Sequence, residues 1–115
     1  MSEEVIKKAK ELGKALKETE EYKEFVEAQK ALDSDENVQK LLKEYDDRAK
    51  DIQVKQMTGE NIEEDMISLQ KLEKEIVGSE SMERYTKAER KFKELVDSAN
   101  KAIVEAMEGE EEEKE

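Results

Sequence analysis

The chain has 115 residues and a formal net charge of −12; 47% of its residues are charged and 35% hydrophobic, and it holds two Phe, three Tyr, and no Trp, Pro, Cys or His. So few large apolar side chains support only a thin core, which leaves either a marginal elongated fold or burial of surface between copies; the acidic surface repels phosphate backbones, so direct nucleic-acid binding is not expected. Without Cys there are no disulfides and no thiolate chemistry, and without His the usual general base and metal ligand are missing.

Abundant Glu, Lys, Leu and Ala with no Pro predict long helices, and five segments follow in chain order. The first opens at Ser2 as an N-cap, and Val5, Ile6, Ala9, Leu12 and Leu16 then share one face at steps of three and four. The second starts at Thr19, whose hydroxyl is expected to accept from the free amide three residues on; Tyr22, Phe25, Val26 and Leu32 carry its stripe. It stops in "DSDEN", Asp33 to Asn37, where short polar side chains compete for backbone groups. The third restarts at Ser34 or Asp35 and carries Val38, Leu41, Leu42, Tyr45, Ala49 and Ile52. It ends at "MTGEN", with Gly59 suited to a left-handed helix end and Asn61, with Glu64, to a capping box for the next helix. So short a break between two long stripes predicts an antiparallel helical hairpin. The fourth carries Ile62, Met66, Leu69, Leu72, Ile76 and Val77 and stops at Gly78.

The fifth begins near Ser79 or Ser81. Tyr85, Phe92, Ala99 and Ala106 fall seven apart, with Ala88, Leu95 and Ala102 between them and Ile103 widening the stripe. This is coiled-coil spacing with small residues that let helices approach closely, and Tyr85, Ala88, Phe92, Leu95, Ala99, Ala102 and Ile103 are the expected self-association surface. The folded region is expected over 1–107, as a single helical domain; the last eight residues, with six acids and one Lys, read as a disordered tail. The architecture expected is all-α: a helical bundle with a long central hairpin, flanking N-terminal helices and a long C-terminal helix.

One stretch is written twice. "TEEYKEFVEAQKAL" from Thr19 and "SESMERYTKAERKF" from Ser79 align at an offset of sixty, pairing Thr19 with Ser79, Tyr22 with Met82, Phe25 with Tyr85, Ala28 with Ala88 and Leu32 with Phe92. Each copy reads as a cap followed by apolar residues, the start of an amphipathic helix entering a bundle. The match fades after Leu32 and Phe92, and duplication and convergence explain it equally well.

Catalytic patterns are lacking. The serines fall at caps or on polar faces, carboxylates are too common to be informative, and neither a calcium-loop spacing nor a Gly-rich phosphate loop is present. Arg84, Lys87, Arg90, Lys91 and Lys93 read as a solvated helix face. The chain therefore reads as non-enzymatic and without a cofactor. Val54 and Met57 near the hairpin tip, and Ile67, lie off the main stripes and are the candidate partner-binding residues. No apolar run approaches membrane-spanning length, so a soluble cytoplasmic protein with no membrane partner is expected.

"ALKETEEYKEFVEAQKALDSDENVQKLLKEY" (Ala15 to Tyr45), "KQMTGENI" (Lys55 to Ile62) and "ERYTKAERKFKELVDSANKAI" (Glu83 to Ile103) resemble the YlbF/YmcA-like family of small helical proteins. The resemblance covers nearly the whole chain apart from the acidic tail. It implies an all-helical, self-associating protein. Some members regulate competence, biofilm formation and sporulation in a complex that modulates an RNA-degrading endonuclease, and some bind iron–sulfur clusters through cysteines. Cluster binding does not carry over to a chain without cysteine. The expected function is a self-associating regulatory adaptor acting on other proteins; the alternative is a prefoldin-like holdase gripping unfolded chains at hairpin tips.

Overall fold

The computed structural model describes residues 2–114, with side chains described through residue 109. Among the described residues it is all-α, with five helices: α1 (Glu3–Lys17), α2 (Glu20–Ser34), α3 (Glu36–Met57), α4 (Glu63–Val77) and α5 (Glu80–Lys114). The expected acidic tail falls, from residue 110, on side chains outside the described residues, and residue 115 lies outside them altogether.

The helix boundaries follow from the capping chemistry. Ser2 Oγ accepts from the Val5 amide at 3.3 Å and opens α1. Asp35 Oδ1 accepts from the Val38 amide at 3.2 Å and opens α3. Gly59, at φ 76°, takes the left-handed conformation after α3, where a side chain would be strained. The expected capping box at Asn61 requires correction. Its carboxamide oxygen accepts from the Glu63 amide, two residues on, at 2.9 Å; the helix opens at Glu63 behind Ile62, which makes no side-chain cap bond. This is a local turn closed by Asn, a geometry that competes with the N-cap.

The repeated stretch builds the same joint twice. Glu18 ends α1 at φ −83°, ψ −5°, and Gly78 ends α4 at φ −80°, ψ −5°. Thr19 Oγ1 donates to the Leu16 carbonyl at 2.6 Å, and Ser79 Oγ donates to the Ile76 carbonyl at 2.7 Å. The next helix starts alike in both, with the Lys23 amide bonding the Thr19 carbonyl at 3.1 Å and the Glu83 amide the Ser79 carbonyl at 3.0 Å. The likeness reaches back beyond the stretch legible in the sequence. α1 and α4 are both 15 residues long and begin sixty positions apart. At that offset Ile6, Ala9, Leu12 and Leu16 correspond to Met66, Leu69, Leu72 and Ile76.

The chain forms two compact units, Met1–Glu27 with Lys87–Glu115, and Ala28–Thr86. In the second, α3 and α4 pack closely along each other. Val38 and Ile52 on α3 and Leu72 and Ile76 on α4 are buried, with Val38 only 2% exposed. Lys55 Nζ bonds Asp65 at 3.1 Å near the turn between the helices, and Arg48 bonds both Ser68 across the pair and Glu44 on its own helix. Ser81 at the start of α5 donates to Asp35 Oδ2 at 2.7 Å, so the cap of α3 also holds α5. In the first unit the contact is aromatic. Phe92 stacks on Phe25 with ring centroids 5.7 Å apart and meets Tyr22 edge-on at 5.3 Å. α1 is amphipathic yet has no buried residue.

Candidate interaction surfaces

Apart from Val77, 59% exposed at the end of α4, the large apolar side chains left exposed fall into two sets. The first lies around the α3–α4 turn. Val54 and Met57 are on the last turns of α3, Ile67 is on α4, and all three are more than half exposed, Met57 reaching 82%. Lys55 lies among them in sequence but not in chemistry. The hydrogen bond that Lys55 donates to Asp65, and then the Asp65 charge, raise the Lys55 pKa above the ordinary lysine value. Its amine is thus held as a cation and is unsuited to act as a base or nucleophile. The Thr58 hydroxyl is engaged with the Lys55 carbonyl at 3.1 Å and Glu60 at 2.8 Å. This region thus exposes apolar side chains beside charged ones.

The second set involves α1 and the distal half of α5. The seven residues expected to mediate self-association divide here. Ala88 is buried, Tyr85 and Phe92 are half-buried, and Leu95 and Ala99 are half-buried further along. Ala102 and Ile103 are exposed, together with Val104 and Met107. The near end of the stripe is thus occupied by packing within the chain, as the Phe25–Phe92 stack illustrates, while the far end is open. The open face of α1 was not among the expected surfaces. Val5 is 63% exposed, and Ile6 and Leu12 are exposed beside it. The signal for it was available in the spacing of Ile6, Ala9, Leu12 and Leu16.

A groove of about 530 Å³ lies along α2 and α5, lined by Glu20, Glu21, Glu24, Lys91, Glu94, Leu95 and Ser98. It is open and mostly acidic, and among the described residues no group of side chains is arranged to hold a metal ion. The cationic residues Arg84, Lys87, Arg90, Lys91 and Lys93 are all solvent-exposed. Among the described residues no helix is long and apolar enough to cross a membrane.

The family model described as control of competence regulator ComK, YlbF/YmcA, matches residues 5–108. The chain belongs to the YlbF/YmcA family. The family's description is a regulatory one. Similar proteins include UPF0342 proteins of Staphylococcus aureus, 34% identical over 100 residues that cover 86% of this chain and 88% of the relative. One from Shouchella clausii is 31% identical over 102 residues, covering 88% of this chain and 86% of its own. One from Caldicellulosiruptor bescii is 29% identical over 101 residues, covering 87% and 85%. No solved structure matches the chain significantly. Family membership accounts for the match over nearly the whole chain apart from the acidic tail.

Proposed function

We propose that this YlbF/YmcA-family protein is a cytoplasmic, non-enzymatic adaptor that self-associates through its terminal helices and regulates by docking other proteins at the α3–α4 turn. The observation that carries the reading is the exposure of apolar helix faces in a member of a regulatory family. Val54, Met57 and Ile67 stand more than half exposed on one pair of helices, and α1 and distal α5 carry the other open faces. Apolar faces of this kind are what helix-in-groove recognition uses. Tyr85, Ala88, Phe92, Leu95 and Ala99 shape the base of the self-association surface, and Ala102 and Ile103 form its open end. Regulation of this kind needs no catalytic group, cofactor or nucleic-acid contact.

The test pairs two measurements on the full chain. Light scattering across a concentration series reads self-association, and a mass that stays monomeric at high concentration refutes that part. Affinity capture from host lysate, compared with a variant carrying Val54→Glu and Met57→Glu, reads docking. One or two stoichiometric partners lost from the variant support the adaptor. The exposed Met57 also suits a holdase; a broad set of unfolded clients, with suppressed aggregation of a model substrate, would replace the adaptor reading with that one.

A further inference from the structure

The internal repeat points to what covers the open terminal helices. We propose that α1 of one copy packs on the distal half of α5 of a second copy, and reciprocally, in the manner in which α3 packs on α4 within the chain. This deepens the self-association reading above and rests on it.

Three observations carry the inference. The first is register. α1 and α4 correspond residue for residue at the sixty-residue offset, and each ends in the same joint before the next helix. Beyond the joint, α2 is followed by α3, whereas α5 simply continues; distal α5 therefore occupies the place in the second repeat that α3 occupies in the first. α4 has α3 along it, with Leu72 and Ile76 buried. α1 presents the matching face with Leu12 at 37% exposure and no residue buried. Among the described residues the close packing of α3 on α4 thus has no second instance inside a single chain.

The second is charge. α1 carries five Lys against three Glu, a net positive helix in a strongly acidic protein. Residues 94–109 of α5 carry four acids against one Lys. The two faces attract each other, whereas α5 against α5 would set like charges together. The third is size. Small side chains at Ala99, Ala102 and Ala106 leave room for the larger Ile6, Leu12 and Leu16 of an incoming α1. Exchange in both directions makes the contact self-complementary under a twofold axis and closes at two copies.

The chain has no cysteine, so single thiols report the contact directly. Leu12→Cys and Ala102→Cys are made as separate full-length proteins, oxidised alone and after mixing. The expected result is a disulfide-linked pair formed efficiently only in the mixture. Efficient cross-linking of either variant with itself would overturn the proposal in favour of α1–α1 or α5–α5 seams. A double variant that cross-links at monomer mass would overturn it in favour of α1 lying on its own α5. Independently, Leu12→Glu and Ala102→Glu should each raise the dimer dissociation constant by about a hundredfold or more, the consequence of an unpaired charge in a packed seam. Because both positions are exposed in the single chain, helicity should be unchanged. A wild-type dimer that tolerates both Glu variants refutes this pairing while leaving self-association intact; a wild type that is monomeric throughout removes both.

Discussion

Leu72→Ala measures how much of the fold rests on the α3–α4 pair. Leu72 is 6% exposed, so its side chain is almost wholly withdrawn from water. Truncation removes three carbons, at about 0.8 kcal/mol each, or about 2.4 kcal/mol of transfer energy. The cavity adds less than in a thick core because two helices can close over the gap, so the expected loss is about 2–3 kcal/mol. A chain of this size has on the order of 6–17 kcal/mol in total, and a thin core places it toward the lower end. At about 4 °C per kcal/mol the midpoint should fall by about 8–12 °C. Urea and thermal unfolding followed by far-ultraviolet circular dichroism, at one fixed dilute concentration, give both numbers. Leu12→Ala, at the corresponding place on α1, is the control. In dilute solution it should cost no more than about 1 kcal/mol, because that site is open in the single chain. A loss below about 0.5 kcal/mol for Leu72→Ala would refute the packing argument. Equal losses at both positions would refute the contrast between the two repeats.

The Asp35 carboxylate accepts from Ser81 and from the Val38 amide, and these bonds hold its pKa below the ordinary 3.8. As pH falls the unfolded chain takes up this proton first, so the contribution is complete above about pH 3.8 and is lost through the lowered folded value. Melting temperature scanned from pH 6 to 2 should fall less steeply in Asp35→Asn than in the wild type; parallel curves would show that the cap carries no linkage. Gly59→Ala forces a side chain into the left-handed region and should cost about 1–2 kcal/mol, read by urea unfolding. Truncation after Met107 removes only the acidic tail and should leave the melting temperature nearly unaltered; a large drop would show that the tail packs.

Caps were the most legible part of the sequence, because a hydroxyl or carboxylate satisfies a helix-end amide over three residues regardless of what lies beyond. Ser2, Thr19 and Asp35 each accept as their spacing indicates. Asn61 did not, since its amide oxygen can close a turn two residues on as readily as cap a helix. The stripes on α2 and α5 announce a buried face but not its partner, so the stacking of Phe92 on Phe25 could not be read from periodicity. For the same reason the stripe expected to mediate self-association runs without a mark from Ala88, which is buried, to Ile103, which is exposed. Periodicity is the same on both sides of the point where intrachain packing stops. Ser81 and Asp35 are 46 residues apart, too far for any local rule to pair them.

The two repeats diverge over three residues, and that divergence separates the closed helix pair from the open one. In the first, Asp33, Ser34 and Asp35 end α2; Asp35 caps α3, and Gln39 Nε2 donates at 3.0 Å to the Leu32 carbonyl, which also accepts from the Asp35 amide at 3.1 Å. The chain restarts as α3, which packs on α4. In the second, the positions sixty residues on are Lys93, Glu94 and Leu95, all strong helix formers with no capping side chain. Nothing there competes with the helix, so α5 runs on with its apolar stripe continuing onto exposed residues. Where the polar break is present a stripe is packed inside the molecule, and where it is absent the stripe continues onto exposed residues, the face proposed above to meet a second copy. Restoring the break alone, by Lys93→Asp, Glu94→Ser and Leu95→Asp, should end the helix there and abolish the proposed dimer along with it. Circular dichroism would show the lost turns and light scattering the lost mass; a dimer that survives the break would show that distal α5 is not the seam.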